Sequence, residues 1–329
     1  QLDSDETFEE RRGAGLHIPG FWDKVLDIDT CHLQPEPSNA IRNFIRDWAI
    51  QRNLPFFNPR SQEGWLRTMM IRVASTGDVL VVIQFRTELQ AEREALLNDL
   101  VEVFPEITSL QYAINPKGND TMYDLDIHTF YGQPYIEEAM PKYSGEGELR
   151  FKLGPKSFYQ TNPDQAYELY KVALDMANIQ PTDLVFDLYT GTGTIAMFMA
   201  EKAKEVVGIE LVPEAIADAK INAENNHIDN ATFYVGDMKD VFTEAFIQKH
   251  GRPNIIVTDP PREGMHKDVV AQLLALEIPR MVYVSCNSAT QARDLGLLAE
   301  KYDVIQSRAV DMFPQTHHIE NVVELALRA

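Results

Sequence analysis

Along the first half of the chain, apolar and polar positions change period several times. Residues 25–28 (Val25, Leu26, Asp27, Ile28) read as a short strand. In 37–51, Ile41, Phe44, Ile45 and Trp48 recur at helical spacing, which predicts an amphipathic helix capped by Ser38. Two strands follow at 65–74 and 79–85, joined by the turn-type sequence Ser75-Thr76-Gly77-Asp78. A second helix over 88–102 ends before Pro105. Strands at 107–114 and 121–127 then flank Asn115-Pro116-Lys117-Gly118-Asn119. The order strand-helix-strand-strand-helix-strand predicts a smaller ferredoxin-like α+β domain over 21–142, with one added strand. Residues 1–20 are acidic before Arg11-Arg12 and read as an N-terminal arm.

The polar, glycine-rich stretch 143–147 marks a boundary, and beyond it the pattern is regular. A strand at 149–153 and a helix over 163–177 lead into strict alternation. Strands are expected at 184–187, 205–209, 231–235, 254–258 and 280–284, with helices at 194–203, 213–226, 266–276 and 288–301. Strands at 303–310 and 321–327 close the chain. Such alternation predicts an α/β, doubly wound parallel sheet over 143–329, Rossmann-like, ending in a hairpin. No internal repeat is visible.

Composition narrows the class. The 329 residues are enough for roughly two domains. With 44% hydrophobic and 24% charged residues, the chain reads as a globular protein in water. No apolar run approaches the ~20 residues of a membrane span. The acidic start is not a signal peptide, and without a starting Met the chain reads as a fragment. Two cysteines, Cys31 and Cys286, exclude a disulfide framework and make a cytoplasmic setting the expectation. Lys plus Arg number 30 against 50 Asp plus Glu, a net charge of −20. That balance argues against non-specific coating of nucleic acid, though a local basic patch is compatible with it.

Candidate chemistry gathers at the expected strand ends. Phe186-Asp187-Leu188-Tyr189-Thr190-Gly191-Thr192-Gly193-Thr194 is an apolar strand running into a glycine turn, where a ligand can approach the backbone. Asp187, Glu210 and Asp237 follow three successive strands, and Glu210 stands about 20 residues past the turn, where such folds hold a ribose. A nucleoside-bearing cofactor is the reading; position 196 is Ala, so the full dinucleotide fingerprint is missing. NAD stays open, and S-adenosylmethionine suits the shorter turn better. Asp259-Pro260-Pro261-Arg262 forms a stiff loop at the same edge, since two prolines fix φ and remove two donors. Cys286 ends the fifth strand, just before a helix start that favours a thiolate; a buried small hydrophobe is the alternative. Glu320 enters the last strand, where partial burial would raise its pKa and fit it for a base. His317 and His318 are adjacent, with no cysteine at zinc spacing, so no metal site is expected.

Four motifs then stand together: Gln160-Thr161-Asn162, Asp259-Pro260-Pro261-Arg262, Ser285-Cys286-Asn287 and His317-His318-Ile319-Glu320. In that order they resemble the signature of the RNA uracil-5-methyltransferases, the bacterial 23S rRNA and tRNA enzymes that make 5-methyluridine, over essentially all of 21–329. The resemblance implies a class I S-adenosylmethionine-dependent methyltransferase domain over 143–329. Gln160, Tyr189, Thr194, Glu210, Asp237 and Asp259 fall on cofactor-contacting positions, Cys286 on the nucleophile and Glu320 on the base. Phe158 or Tyr159 is a candidate to stack on a splayed-out uridine. The 107–120 segment resembles the rRNA branch more than the tRNA branch, so 23S rRNA is the expected substrate and tRNA the alternative, with the enzyme a monomer. Members typically carry an N-terminal TRAM domain, which does not fit before residue 21; its loss would explain the acidic balance. Many members also hold an iron–sulfur cluster on four cysteines; Cys31 matches the last, and without the others this chain cannot hold one. A non-catalytic RNA-binding module and a small-molecule methyltransferase or NAD enzyme are the rival readings.

Overall fold

Strands too short to bury an apolar face find other partners, and the first part of the chain shows it. A computed structural model describes residues 12–328. By its contacts the chain forms two units. One runs up to Glu138 and takes in Gly154–Lys156; the other comprises Ala139–Leu153 and everything from Ser157 onward. In the first unit β1 (Gly15–His17) pairs with β2 (Val25–Asp27), setting Leu16 opposite Leu26, both exposed. Helix α1 (Ser38–Gln51) follows, then β3 (Leu66–Val73), β4 (Val79–Phe85), α2 (Gln90–Val103), β5 (Ile107–Ile114) and β6 (His128–Gly132). Strands β3 to β6 make a four-stranded sheet in chain order, parallel only between β4 and β5. Ile41, Ile45 and Trp48 of α1 and Leu96, Leu97 and Leu100 of α2 bury against Val81, Ile83 and Phe85.

Three expectations change here. The ferredoxin-like order does not form, because β2 has three exposed residues and stays with β1 outside the sheet. The strand expected at 121–127 is a loop. The Arg67 guanidinium takes the carbonyls of Asn115, Lys117 and Asn119, Lys117 Nζ takes that of Thr121, and the ladder begins only at His128. Ser38 is not the cap of α1 but its first, buried residue. Pro37 holds the cap position, and the Glu36 carboxylate accepts from Ala40 N at 3.2 Å. Of the expected arm, residues 1–11 lie outside the described residues and Gly15–His17 is β1.

The stretch 143–147, expected to be a boundary, is a hairpin turn between β7 (Ile136–Pro141) and β8 (Glu148–Leu153). Lys142 N donates to Gly147 O and Gly145 N to Lys142 O. Helix α3 (Pro163–Ala177) starts with an Asn162 cap and a proline in its first turn, and ends at a left-handed Asn178. There follow β9 (Leu184–Leu188), α4 (Thr194–Ala200), β10 (Glu205–Glu210), α5 (Pro213–Asn225) and β11 (Ala231–Val235). Two short helices come next, α6 (Met238–Val241) and α7 (Glu244–His250); with four and seven residues they are too brief to show a period in sequence. Then come β12 (Ile255–Thr258), α8 (Lys267–Leu276), β13 (Arg280–Ser285), α9 (Ser288–Leu298), β14 (Tyr302–Val310) and β15 (Glu320–Leu327). The seven-stranded sheet runs β11-β10-β9-β12-β13-β15-β14, with β15 antiparallel between β13 and β14. Strand order reverses between β9 and β12, which opens a crevice at their carboxyl ends. The central strands are almost wholly apolar because helices cover both faces; Phe186, Val207, Ile256 and Tyr283 are buried. Among the described residues no helix is long and apolar enough to cross a membrane.

Candidate active site

On one side of the crevice the backbone itself makes the site. Tyr189, Gly191 and Gly193 all take positive φ, +67°, +55° and +79°. Gly193 suits its place, since its φ is strained for any side chain and a Cβ there would press on the Phe233 ring at 3.0 Å. Tyr189 N and Thr190 N both donate to Ile209 O at 3.0 Å, which folds the turn over the end of β10. Glu210 is the last residue of β10, and its carboxylate accepts from Gly191 N at 3.1 Å and from Val212 N at 3.0 Å. Asp237 caps α6 through Lys239 N and pairs with Lys239 Nζ at 3.0 Å; those contacts hold its carboxyl below the usual range. Thr194 is buried in the first turn of α4, its Oγ1 3.3 Å from that of Thr192. Gln160 is buried too, beside Asn162, whose Nδ2 donates to Met312 O at 3.0 Å. Gly191 faces open space, with nothing within 4 Å of a Cβ built on it, and Leu211 beside Glu210 is 59% exposed. Fixed acceptors at Glu210 and Asp237, a yielding backbone turn and an exposed apolar side chain fit a ribose hydroxyl pair and a flat base.

Asp187 differs from the other strand-end acids. It lies inside β9, fully buried, and accepts from Thr190 Oγ1 at 2.5 Å. Burial pushes its carboxyl up to about 7. Its visible work is to brace the turn from below.

Across the crevice the groups are crowded and titratable. The β13–β15 ladder ends at the pair Ser285 and Asn321, next to Cys286 and Glu320, and the Glu320 charge reaches the Cys286 thiol. The Arg262 side chain lies near the Cys286 thiol and pulls its pKa down. Burial drives the Glu320 carboxyl up to about 7, against the pull of Arg262. Asp259 donates its N–H to Leu188 O at 3.3 Å; burial, with Glu320 and Asp187 nearby, puts its carboxyl well above the carboxylate range. Cys286 departs from expectation. Burial first and then Glu320 raise its thiol, and these outweigh Arg262, so the helix start does not by itself yield a thiolate.

Two participants were not assigned a part from sequence. Arg262 is a cation close to both Cys286 and Glu320, and its signal was a positive residue directly after the proline pair. Tyr170 of α3 is buried close enough to Asp259, Asp187 and Glu320 for their charges to raise its hydroxyl pKa, with burial the main cause. In sequence it was one more apolar-face residue of a helix. Of the two aromatic stacking candidates, Tyr159 is packed against Phe151, ring centroids 5.6 Å apart, while Phe158 is 66% exposed.

Cys31 is a free thiol in the other unit, its N–H bonded to Asn39 Oδ1 at 2.7 Å. Among the described residues no three His, Cys, Asp or Glu side chains are placed to hold a metal ion. His317 and His318 stack on each other with ring centroids 4.2 Å apart.

Known proteins resemble this chain over most of its length. The profile of the tRNA (Uracil-5-)-methyltransferase family matches residues 71–328. An uncharacterized RNA methyltransferase of Bacteroides thetaiotaomicron is 54% identical over all of this chain and 72% of its own length. Another, of Porphyromonas gingivalis, is 54% identical over 99% of this chain and 70% of its own. Among solved structures, the Pyrococcus abyssi tRNA (uracil-54, C5)-methyltransferase in complex with S-adenosyl-L-homocysteine superposes with a TM-score of 0.77. It is 28% identical, with 98% of this chain and 77% of that one covered.

Proposed function

This chain belongs to the tRNA (Uracil-5-)-methyltransferase family, and we propose that it transfers a methyl group from S-adenosylmethionine to carbon 5 of a uridine in RNA. Glu210 and Asp237 would hold the ribose and base of the donor, with Tyr189, Thr194, Gln160 and Asp259 around the remainder. When bound, S-adenosylmethionine supplies an electrophilic methyl carbon.

The protein's own task is to make carbon 5 nucleophilic, and the reading rests on one observation: Cys286 and Glu320 stand next to the last pair of the β13–β15 ladder, with Arg262 near the thiol. Cys286 gives up its proton to water and its sulfur adds to carbon 6, which places electron density on carbon 5; carbon 5 would then bond the donor's methyl carbon as that carbon's bond to the sulfonium sulfur breaks and S-adenosylhomocysteine leaves. Arg262 supports the thiolate against the carboxylates around it. Once carbon 5 carries its methyl group, Glu320, ionised, takes the proton from that carbon; the electron pair reforms the 5,6 double bond and expels the Cys286 thiolate. The covalent route replaces one difficult step by easier ones. A carboxyl near 7 suits a base that must release its proton again each turnover. The uridine would be splayed out of its strand to reach Cys286, and exposed Phe158 is available to stack on it.

For the substrate, 23S rRNA is our first reading, on the sequence of residues 107–120. A tRNA T-loop uridine is the second, favoured by the extensive match to the archaeal tRNA enzyme. Incubating the protein and labelled S-adenosylmethionine with rRNA and tRNA from a strain lacking it, then mapping 5-methyluridine, tests both. Label in one uridine of 23S rRNA supports the first, label confined to tRNA supports the second, and label in neither removes the RNA reading.

A further inference from the structure

One helix reaches both halves of the reacting cluster. Arg262 sits on an exposed loop, and a long side chain there loses up to ~2 kcal/mol of rotamer freedom when fixed. Its backbone, however, is held. The Arg262 carbonyl accepts from Asn287 Nδ2 and from Thr290 Oγ1, both at 3.0 Å. One turn on, the Asp294 carboxylate accepts from Met265 N at 2.8 Å, from the Tyr283 hydroxyl at 2.8 Å and from Arg293 Nη2 at 2.8 Å. Arg293 Nη2 in turn reaches Glu263 O at 2.8 Å. Asp294 is 1% exposed, and a carboxylate so buried is tolerable only because donors surround it. Between these contacts lies Gly264 at φ +78°, where a Cβ would meet Asp294 Oδ2 and Arg293 Nη2 at 2.6 Å. On another face of α9, Gln291 Nε2 donates to Tyr283 O and Asn321 O, and Asn321 Nδ2 donates back to Gln291 Oε1. Those bonds tie β13 to β15 next to Cys286 and Glu320.

We infer that Thr290 and Asp294 are positioning residues for this reaction: they clamp residues 262–265 to α9 and so keep the Arg262 guanidinium against the Cys286 thiol. The inference rests on the reading of Cys286 as nucleophile. Neither residue touches substrate; each acts through Arg262. Thr290 fixes the carbonyl of Arg262 itself, and Asp294 fixes the loop three residues on.

The test is the pH dependence of Cys286 alkylation by iodoacetamide, read by peptide mass spectrometry with Cys31 as internal control. The ionisable groups facing the thiol are Arg262, Asp259 at the end of β12 and Glu320 on β15. Arg262→Met removes the cation and should move the Cys286 profile up by about one pH unit, roughly tenfold slower alkylation near neutrality. Thr290→Val should shift it in the same direction, Thr290→Ser should restore the wild-type profile, and Cys31 should not respond. Asp294→Asn should resemble Thr290→Val; if it does not fold, the Thr290 pair still decides. A wild-type profile in Thr290→Val, or a Thr290→Ser variant as shifted as valine, overturns the inference. Methyl transfer measured on the same variants separates the two claims. A shifted profile with undiminished methylation leaves the clamp standing and removes the nucleophile reading.

Discussion

The two banks of the crevice hold acids of opposite character. Along β10 and β11, the Glu210 carboxylate is met by two backbone N–H groups, and Asp237 by Lys239, whose contacts hold the Asp237 carboxyl below its usual range. Along β12, β13 and β15, half-buried Asp259 and buried Glu320 lie near one another and are held toward the neutral form. The same residue type is thereby given two tasks. A permanently ionised acid with fixed geometry can hold hydroxyls and amines, whereas an acid near 7 can accept and release a proton. Asp187, buried beneath the glycine turn and pushed up to about 7, stands between them as a brace.

The contrast breaks first at Glu320. Glu320→Gln should lower methyl transfer about 10²–10⁴-fold and leave protein covalently joined to methylated RNA, visible as a gel-shifted band with ordinary uridine substrate. In wild type the single-turnover rate should rise with pH through about 7, as Glu320 ionises, and that limb should vanish in the variant. On the opposite bank the effect should be on binding. Glu210→Ala removes an acceptor from the turn, and the KM for S-adenosylmethionine should rise by about 10–100-fold with the adduct-forming step intact, as for a hydrogen bond to a charged group. Equal loss of both steps would erase the division between the banks.

Much of the catalytic unit could be read from sequence because buried parallel strands are short apolar runs with polar exits. The strand at 231–235 and the helix at 163–177 emerge with the expected bounds. Site positions were legible for the same reason: Glu210 and Cys286 stand at or just past strand ends, and topology brings such ends together. What failed was decided by side chains reaching across the chain. Arg67 turns 121–127 into a loop by taking its neighbours' carbonyls, and nothing local in that stretch announces it. The pairing of β1 with β2 depends on which three-residue strands meet, a choice invisible to periodicity. The raised Cys286 thiol likewise depends on its burial in the fold and on Glu320, 34 positions away in sequence.

A smaller effect concerns stability. The Asp187 carboxyl is raised in the folded chain to about 7 from an unfolded value near 3.8, so the folded state holds more protons between those pH values. Its contribution is therefore present at low pH and declines as pH rises through about 7. Against the wild-type curve from pH 4 to 8, Asp187→Asn should show a flatter fall in urea midpoint, unless the turn collapses without its charge, which loss of S-adenosylmethionine binding would report.

The whole mechanism turns on a bond between Cys286 and carbon 6 of the target uridine. The direct measurement is mass spectrometry of the protein after incubation with S-adenosylmethionine and the substrate RNA carrying 5-fluorouridine, whose fluorine cannot be removed as a proton. A stable adduct is expected on the peptide containing Cys286, absent from Cys286→Ala. Methyl transfer by Cys286→Ala at the wild-type rate, or an adduct mapped to any other residue, would contradict it.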